Sequence, residues 1–117
     1  MWICMNDAFF SIVEDDNCRP DQLLVRARRE GDIEKVFVEA KGLVAKTVGR
    51  DYLFRAYLDR DYVADVIADK ITGISYPNFK GSVRDASLGH AYGKFWDIHA
   101  GLQEIPPYSA KPRGKLL

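Results

Sequence analysis

With 117 residues, the chain has room for one domain built on one hydrophobic core. Its 47% hydrophobic and 29% charged residues exclude disorder over the whole length. Seventeen basic residues balance seventeen acidic ones, so net charge gives no global argument for nucleic acid, a membrane surface or an acidic partner. The same neutrality lowers repulsion between copies and leaves a homodimer open.

The run Trp2–Glu14 carries Trp2, Ile3, Phe9, Phe10, Ile12 and Val13, which predicts a strand kinked near Asn6-Asp7. Asp15–Asp21, with Asn17 and Pro20, reads as a turn or loop. Leu23–Arg28 alternates: Leu24, Arg26 and Arg28 fall on one face, Leu23, Val25 and Ala27 on the other. The two runs are close enough to form an antiparallel hairpin. Glu30–Ala40 places Ile33, Val36, Phe37 and Ala40 on one helical face, with Asp32 as a cap and Gly42 as a stop. Leu43–Val48 is a strand or an extended loop, and Gly49-Arg50-Asp51 a turn.

Tyr52–Leu58 predicts a strand with Leu53, Arg55 and Tyr57 on one face and Phe54, Ala56 and Leu58 on the other. Asp59 suits the N-cap of a helix over Arg60–Thr72, with Val63, Val66, Ile67 and Ile71 as its apolar stripe and Gly73 just beyond its end. After the connection Ile74–Val83, Ser82 or Asp85 starts a last helix reaching Gln103, with Leu88, Ala91, Tyr92, Phe95, Ile98 and Leu102 at helical spacing. Pro106-Pro107 stops it. The order predicts an α+β fold: an antiparallel sheet of three to four strands with helices on one face, ferredoxin-like with an extra C-terminal helix. Residues 1–104 form the single expected domain, and 105–117 a proline-containing basic tail.

No constellation reads as catalytic. His90 and His99 are nine residues apart, which sets them on opposite sides of one helix and rules out a shared metal within the chain. Ser82, Ser87, Cys4 and Cys18 are nucleophiles by type only, with no elbow motif around them. The scattered glycines make no phosphate loop. Asp59, Asp61 and Asp65 begin one helix, where carboxylates complement the helix dipole; a cation on that face is the lesser reading. Cys4 and Cys18 lack ligand spacing; a disulfide across the hairpin stays open, and reduced thiols in a cytosolic protein are the expected state. No segment has the pattern of a signal peptide or a transmembrane helix, so a cytoplasmic protein with no cofactor and no metal is expected.

Two surfaces merit a functional reading. The connection packs Tyr76, Asn78, Phe79 and Lys80 together, and Tyr92 and Trp96 lie four apart on the next helix. Aromatics with an amide and a cation suit a protein-protein contact. The plainer reading is that Phe79 plugs the core and Asn78 bonds to nearby backbone. The alternative surface is Arg26, Arg28, Arg55 and Tyr57: on neighbouring strands these would set guanidinium groups beside a ring, as a single-stranded nucleic acid requires. The plainer reading there is an ordinary solvated sheet face, partly neutralised by Glu14 and Asp51.

The segments at 5–13 (MNDAFFSIV), 23–34 (LLVRARREGDIE), 51–56 (DYLFRA) and 76–80 (YPNFK), with Asp85, Ala86, Ala91, Tyr92 and Trp96, resemble a group of small uncharacterised bacterial proteins. The resemblance spans 1–103 and not the tail. It carries no catalytic residues, and it implies a bacterial or mobile-element setting. Phage-borne inhibitors of host defence are similar in size, although their frequent strong acidity is missing here. The expected function is therefore non-catalytic protein binding, as an inhibitor or accessory factor of a defence system. Nucleic-acid binding is the alternative, and a small enzyme of unknown class comes third.

Overall fold

Alternation in the strands and helical spacing between them build one sheet with an apolar face. The structure is a computed structural model that describes residues 1–114. Its elements are β1 (Trp2–Cys4), β2 (Phe9–Val13), β3 (Gln22–Ala27), α1 (Asp32–Val36), a 3-10 turn (Val38–Ala40), β4 (Ala45–Lys46), β5 (Phe54–Asp59), α2 (Arg60–Thr72), α3 (Phe79–Ser82) and α4 (Ala86–Ala100). The fold is α+β. The sheet is antiparallel between all neighbours, in the order β1-β2-β3-β5-β4.

Five strands form where the sequence predicts three or four. The run Trp2–Glu14 is two strands, because Asn6-Asp7 makes a tight turn closed by the Met5 N–H on the Ala8 carbonyl at 2.9 Å. The segment Leu43–Val48 contributes only the two residues of β4. Both β3 and β4 run antiparallel to β5, so they are parallel to each other. They are joined through α1, with β5 inserted between them.

The predicted helix over Glu30–Ala40 is broken into α1 and the 3-10 turn. Its N-cap is Gly31 at φ 86°, a conformation that costs glycine nothing. Asp32 lies inside the first turn, buried, and takes Arg29 at 2.9 Å and Lys35 at 3.1 Å. The helix α2 matches the predicted span, and Asp59 sits at its N-cap without a side-chain bond to it.

The chain divides into two compact units, Met1–Pro77 and one beginning at Asn78. In the first, Ile12 of β2, Val25 and Ala27 of β3, and Phe54, Ala56 and Leu58 of β5 meet Ile33, Val36, Phe37 and Val63 from the helical side. Phe37 is the centre of this core, edge-to-face with Phe10 at 5.2 Å and with Tyr62 at 6.3 Å. In the second unit, Asp85 caps α4 by accepting the Leu88 N–H at 3.0 Å. Leu88 and Tyr92 are its buried side chains. The tail is folded back as far as it is described. Arg113 donates to the carbonyls of Ala100 at 2.6 Å and Gln103 at 2.8 Å, which satisfies acceptors left over at the end of α4. Residues 115–117 of the tail lie outside the described residues.

Candidate functional site

The sheet face opposite the core is built in cross-strand rows. Register sets Trp2 opposite Ser11, Ser11 opposite Arg26, Arg26 opposite Arg55 and Arg55 opposite Ala45. Arg26 and Arg55 are thus brought together as neighbouring strands require. They are not, however, on an open solvated face: their side chains retain only 16% and 10% of their exposure. Arg26 donates to Ser11 Oγ at 2.6 Å, and Ser11 itself is buried.

Two like charges directly opposite each other repel. Asp51 resolves this by holding Arg55 at 2.8 Å and Arg26 at 3.8 Å. Desolvation pushes the Asp51 carboxyl upward, but the Tyr52 N–H and the charges of Arg26 and Arg55 outweigh it and hold the group below its ordinary value. The Tyr52 ring, buried beside them, takes the Arg28 guanidinium at 4.2 Å and that of Arg26 at 4.7 Å. Arg28 is exposed and donates to the Asp51 carbonyl at 2.8 Å.

Tyr57 belongs to the next row, opposite Leu24, and takes no part in this cluster. Its hydroxyl donates to Asp15 Oδ2 at 2.8 Å. That bond, with desolvation, pushes Tyr57 above its ordinary value. Desolvation pushes Asp15 up, yet the Tyr57 hydroxyl and the Asn17 N–H prevail and hold it down.

A cleft of about 690 Å³ lies between β1 and the C-terminal half of α2, with Tyr76 half-buried at its wall. The remaining residues of the proposed contact surface belong to the second unit. Asn78 caps α3, accepting the Gly81 N–H at 3.4 Å. Phe79 is half-buried against Tyr92, ring centroids 5.4 Å apart, and Tyr92 stacks on Phe95 at 6.1 Å. These rings form the small core of this unit. Lys80 and Trp96 are its surface pair: the ammonium sits 4.6 Å from the Trp96 ring centroid. Trp96 is 39% exposed, and the fully exposed Tyr108 stacks on it at 6.5 Å. Ile98, Leu102 and Ile105 are exposed in the same unit.

The nucleophile candidates are occupied or suppressed. Ser82 Oγ donates to the Phe79 carbonyl and Ser87 Oγ to Asp85. Cys4 and Cys18 are free thiols, and desolvation pushes both above their ordinary value, opposite to an activated cysteine. His90, His99, Asp61 and Asp65 are exposed. Among the described residues no group of three or more His, Cys, Asp or Glu could hold a metal ion, and no helix is long and apolar enough to cross a membrane.

The sequence reading missed Tyr52 as a ring beneath two arginines, because Tyr52 precedes the ladder of β5. Asp51 is their shared carboxylate, as the sequence suggests, whereas Glu14 pairs with Arg60 at 3.3 Å. Tyr108 escaped notice inside a segment read as a tail. No protein-family model, no curated protein and no solved structure matches the chain.

Proposed function

We propose that this chain is a non-catalytic protein-binding module of a bacterial or mobile-element system, acting in the cytoplasm as an inhibitor or accessory factor in host defence. The observation that carries the reading is the Lys80–Trp96–Tyr108 stack: a cation and two accessible rings arranged as one pile. Trp and Tyr are the usual anchors of protein contacts. Asn78, Phe79 and Tyr92 belong to the same unit, as the cap of α3 and two rings of its small core, and Tyr76 borders the separate cleft. The sheet itself suits a ferredoxin-like description, because one β-α-β unit encloses a strand between its parallel partners; the flanking strand β2 precedes that unit instead of following it.

The experiment is affinity capture with the full chain in its native host, followed by crosslinking and mass spectrometry. Trp96→Ala with Tyr108→Ala should lose the captured partner while circular dichroism stays unchanged. Retention of the partner by that folded variant would remove the reading.

The nucleic-acid alternative rests on Arg26, Arg28, Arg55 and Tyr57. Three guanidiniums against one carboxylate favour it. Against it, Arg26 and Arg55 are mostly withdrawn from solvent and the Tyr57 hydroxyl is engaged. It requires affinity for short RNA or DNA that falls steeply with salt.

A further inference from the structure

The cations of the two units are held differently. In the first unit they meet carboxylates: Arg26 and Arg55 share Asp51, and Arg29 and Lys35 share Asp32. In the second unit Lys80 and Arg113 are held by uncharged groups. The Lys80 ammonium sits 4.6 Å from the centre of the Trp96 ring. The Arg113 guanidinium donates to the carbonyls of Ala100 and Gln103. A ring or a carbonyl orients a cation, but neither cancels its charge. Among the described residues, no carboxylate is paired with Lys80 or Arg113. Arg113 is exposed and makes its bonds through Nε and Nη2, so Nη1 stays available to a carboxylate.

The sequence carries the same division. From residue 78 onward it holds six basic residues and three acidic ones, against eleven and fourteen before that point. The zero net charge of the whole chain conceals a positive second unit.

Both cations belong to the surroundings of the same two rings. Arg113 closes the end of α4 at Ala100, one turn beyond Trp96. Tyr108, stacked on Trp96, lies in the segment that brings Arg113 back to that end. Tyr108 holds φ 62°, the one positive value on a non-glycine residue among the described residues. Bulky side chains rarely adopt that conformation, and such outliers concentrate at ligand-binding sites. The same stretch exposes Ile98 and Leu102.

We infer that the surface around Trp96 and Tyr108 takes an acidic polypeptide segment, with carboxylates on Lys80 and Arg113 and an apolar side chain against the rings. The inference rests on the proposed reading of this stack as the contact surface and names the chemistry of its partner. Charge complementarity selects the acid: an anion here supplies the counter-charge that the unit lacks. The exposed aliphatic pair selects polypeptide over nucleic acid. A single strand gains from stacking and from phosphate contacts, and has no use for Ile98 and Leu102.

The test is selection of a displayed random-peptide library on the immobilised full chain, followed by fluorescence-anisotropy titration of the recovered peptides at low salt. The peptides should carry Asp and Glu in excess beside an aromatic or aliphatic anchor. Trp96→Ala should weaken them about tenfold or more. Lys80→Gln should weaken them about twofold to fivefold, the size of one exposed ion pair. Replacing the peptide's paired acid by its amide should cost the same, and both changes together no more than either alone. Circular dichroism checks that each variant is folded. Trp96-dependent peptides that are neutral or basic, or that bind Lys80→Gln as tightly as wild type, overturn the inference and leave the protein-binding reading standing. If no recovered peptide depends on Trp96 or Tyr108, both fall. Labelled oligouridylate and oligothymidylate are titrated in parallel, and Trp96-dependent binding of either more tightly than any peptide overturns the inference in favour of nucleic acid.

Discussion

Replacing Ser11 by alanine tests whether the arginine row is a structural device or a binding surface. Ser11 is buried and its hydroxyl accepts from Arg26 Nη2 at 2.6 Å. The Nε of Arg26 is buried without a partner already, so the guanidinium has little left to lose. A hydrogen bond to a charged group contributes about 1.5–3 kcal/mol, and the residual exposure of Arg26 favours the lower end, about 1.5–2 kcal/mol. Arg26→Met removes the charge together with its unmet donor but leaves the buried Ser11 hydroxyl without its partner, which costs about 1–3 kcal/mol. Once Arg26 is gone, Ser11→Ala has no charged donor to strand. The double variant should therefore cost less than the sum of the singles by about 1 kcal/mol or more. Urea denaturation followed by circular dichroism measures all three. Strict additivity, or a Ser11→Ala cost below about 0.5 kcal/mol, would refute the reasoning, since that is the scatter of ordinary surface changes.

Phe37→Ala empties the centre of the core and should destabilise the first unit by about 3–5 kcal/mol in the same assay. Tyr57→Phe should flatten both limbs of the stability–pH profile. The pKa of Tyr57 is raised in the folded chain, so its contribution is complete below its ordinary value of 10.0 and is lost as pH rises through the folded value. Asp15 is held below 3.8, so its contribution is present above that value and is lost as pH falls through the folded one. Equal pH profiles for wild type and Tyr57→Phe would contradict the bond. Arg113→Ala should leave global stability nearly unchanged but speed hydrogen exchange of the last turn of α4, where the Ala100 and Gln103 carbonyls lose their donor.

Period-two alternation made the middle of the sheet legible. It assigned Arg26 with Leu24, and Arg55 with Tyr57, to the face opposite the core, and the register of β3 on β5 agrees. Caps made α4 legible through Asp85. The exposure of those arginines was not legible, because alternation assigns a face and says nothing about what covers it. The Tyr52 ring reaches Arg26 and Arg28 from outside the regular ladder, where spacing rules no longer apply. The turn at Asn6-Asp7 shows a different failure. Its residues are turn formers, yet the apolar runs on both sides outweighed two polar positions and merged two strands into one. In the connection, Asn78 before Phe-Lys-Gly was readable as a cap, and α3 is the short helix it starts.

Strand order makes the two edges of this sheet different. Because β5 is inserted between β3 and β4, that side of the sheet ends in a strand of two residues and offers almost no template. The opposite side ends in the outer arm of a hairpin whose bonds extend over its full length. Charge follows the same division. Along the row Trp2, Ser11, Arg26, Arg55, the guanidiniums stand over the middle strands and are neutralised there by Asp51, whereas the β1 end carries none. A phosphate backbone would need those central charges, and they are spent on Asp51 and Ser11. The guanidiniums at the centre of this face are therefore committed to partners within the chain.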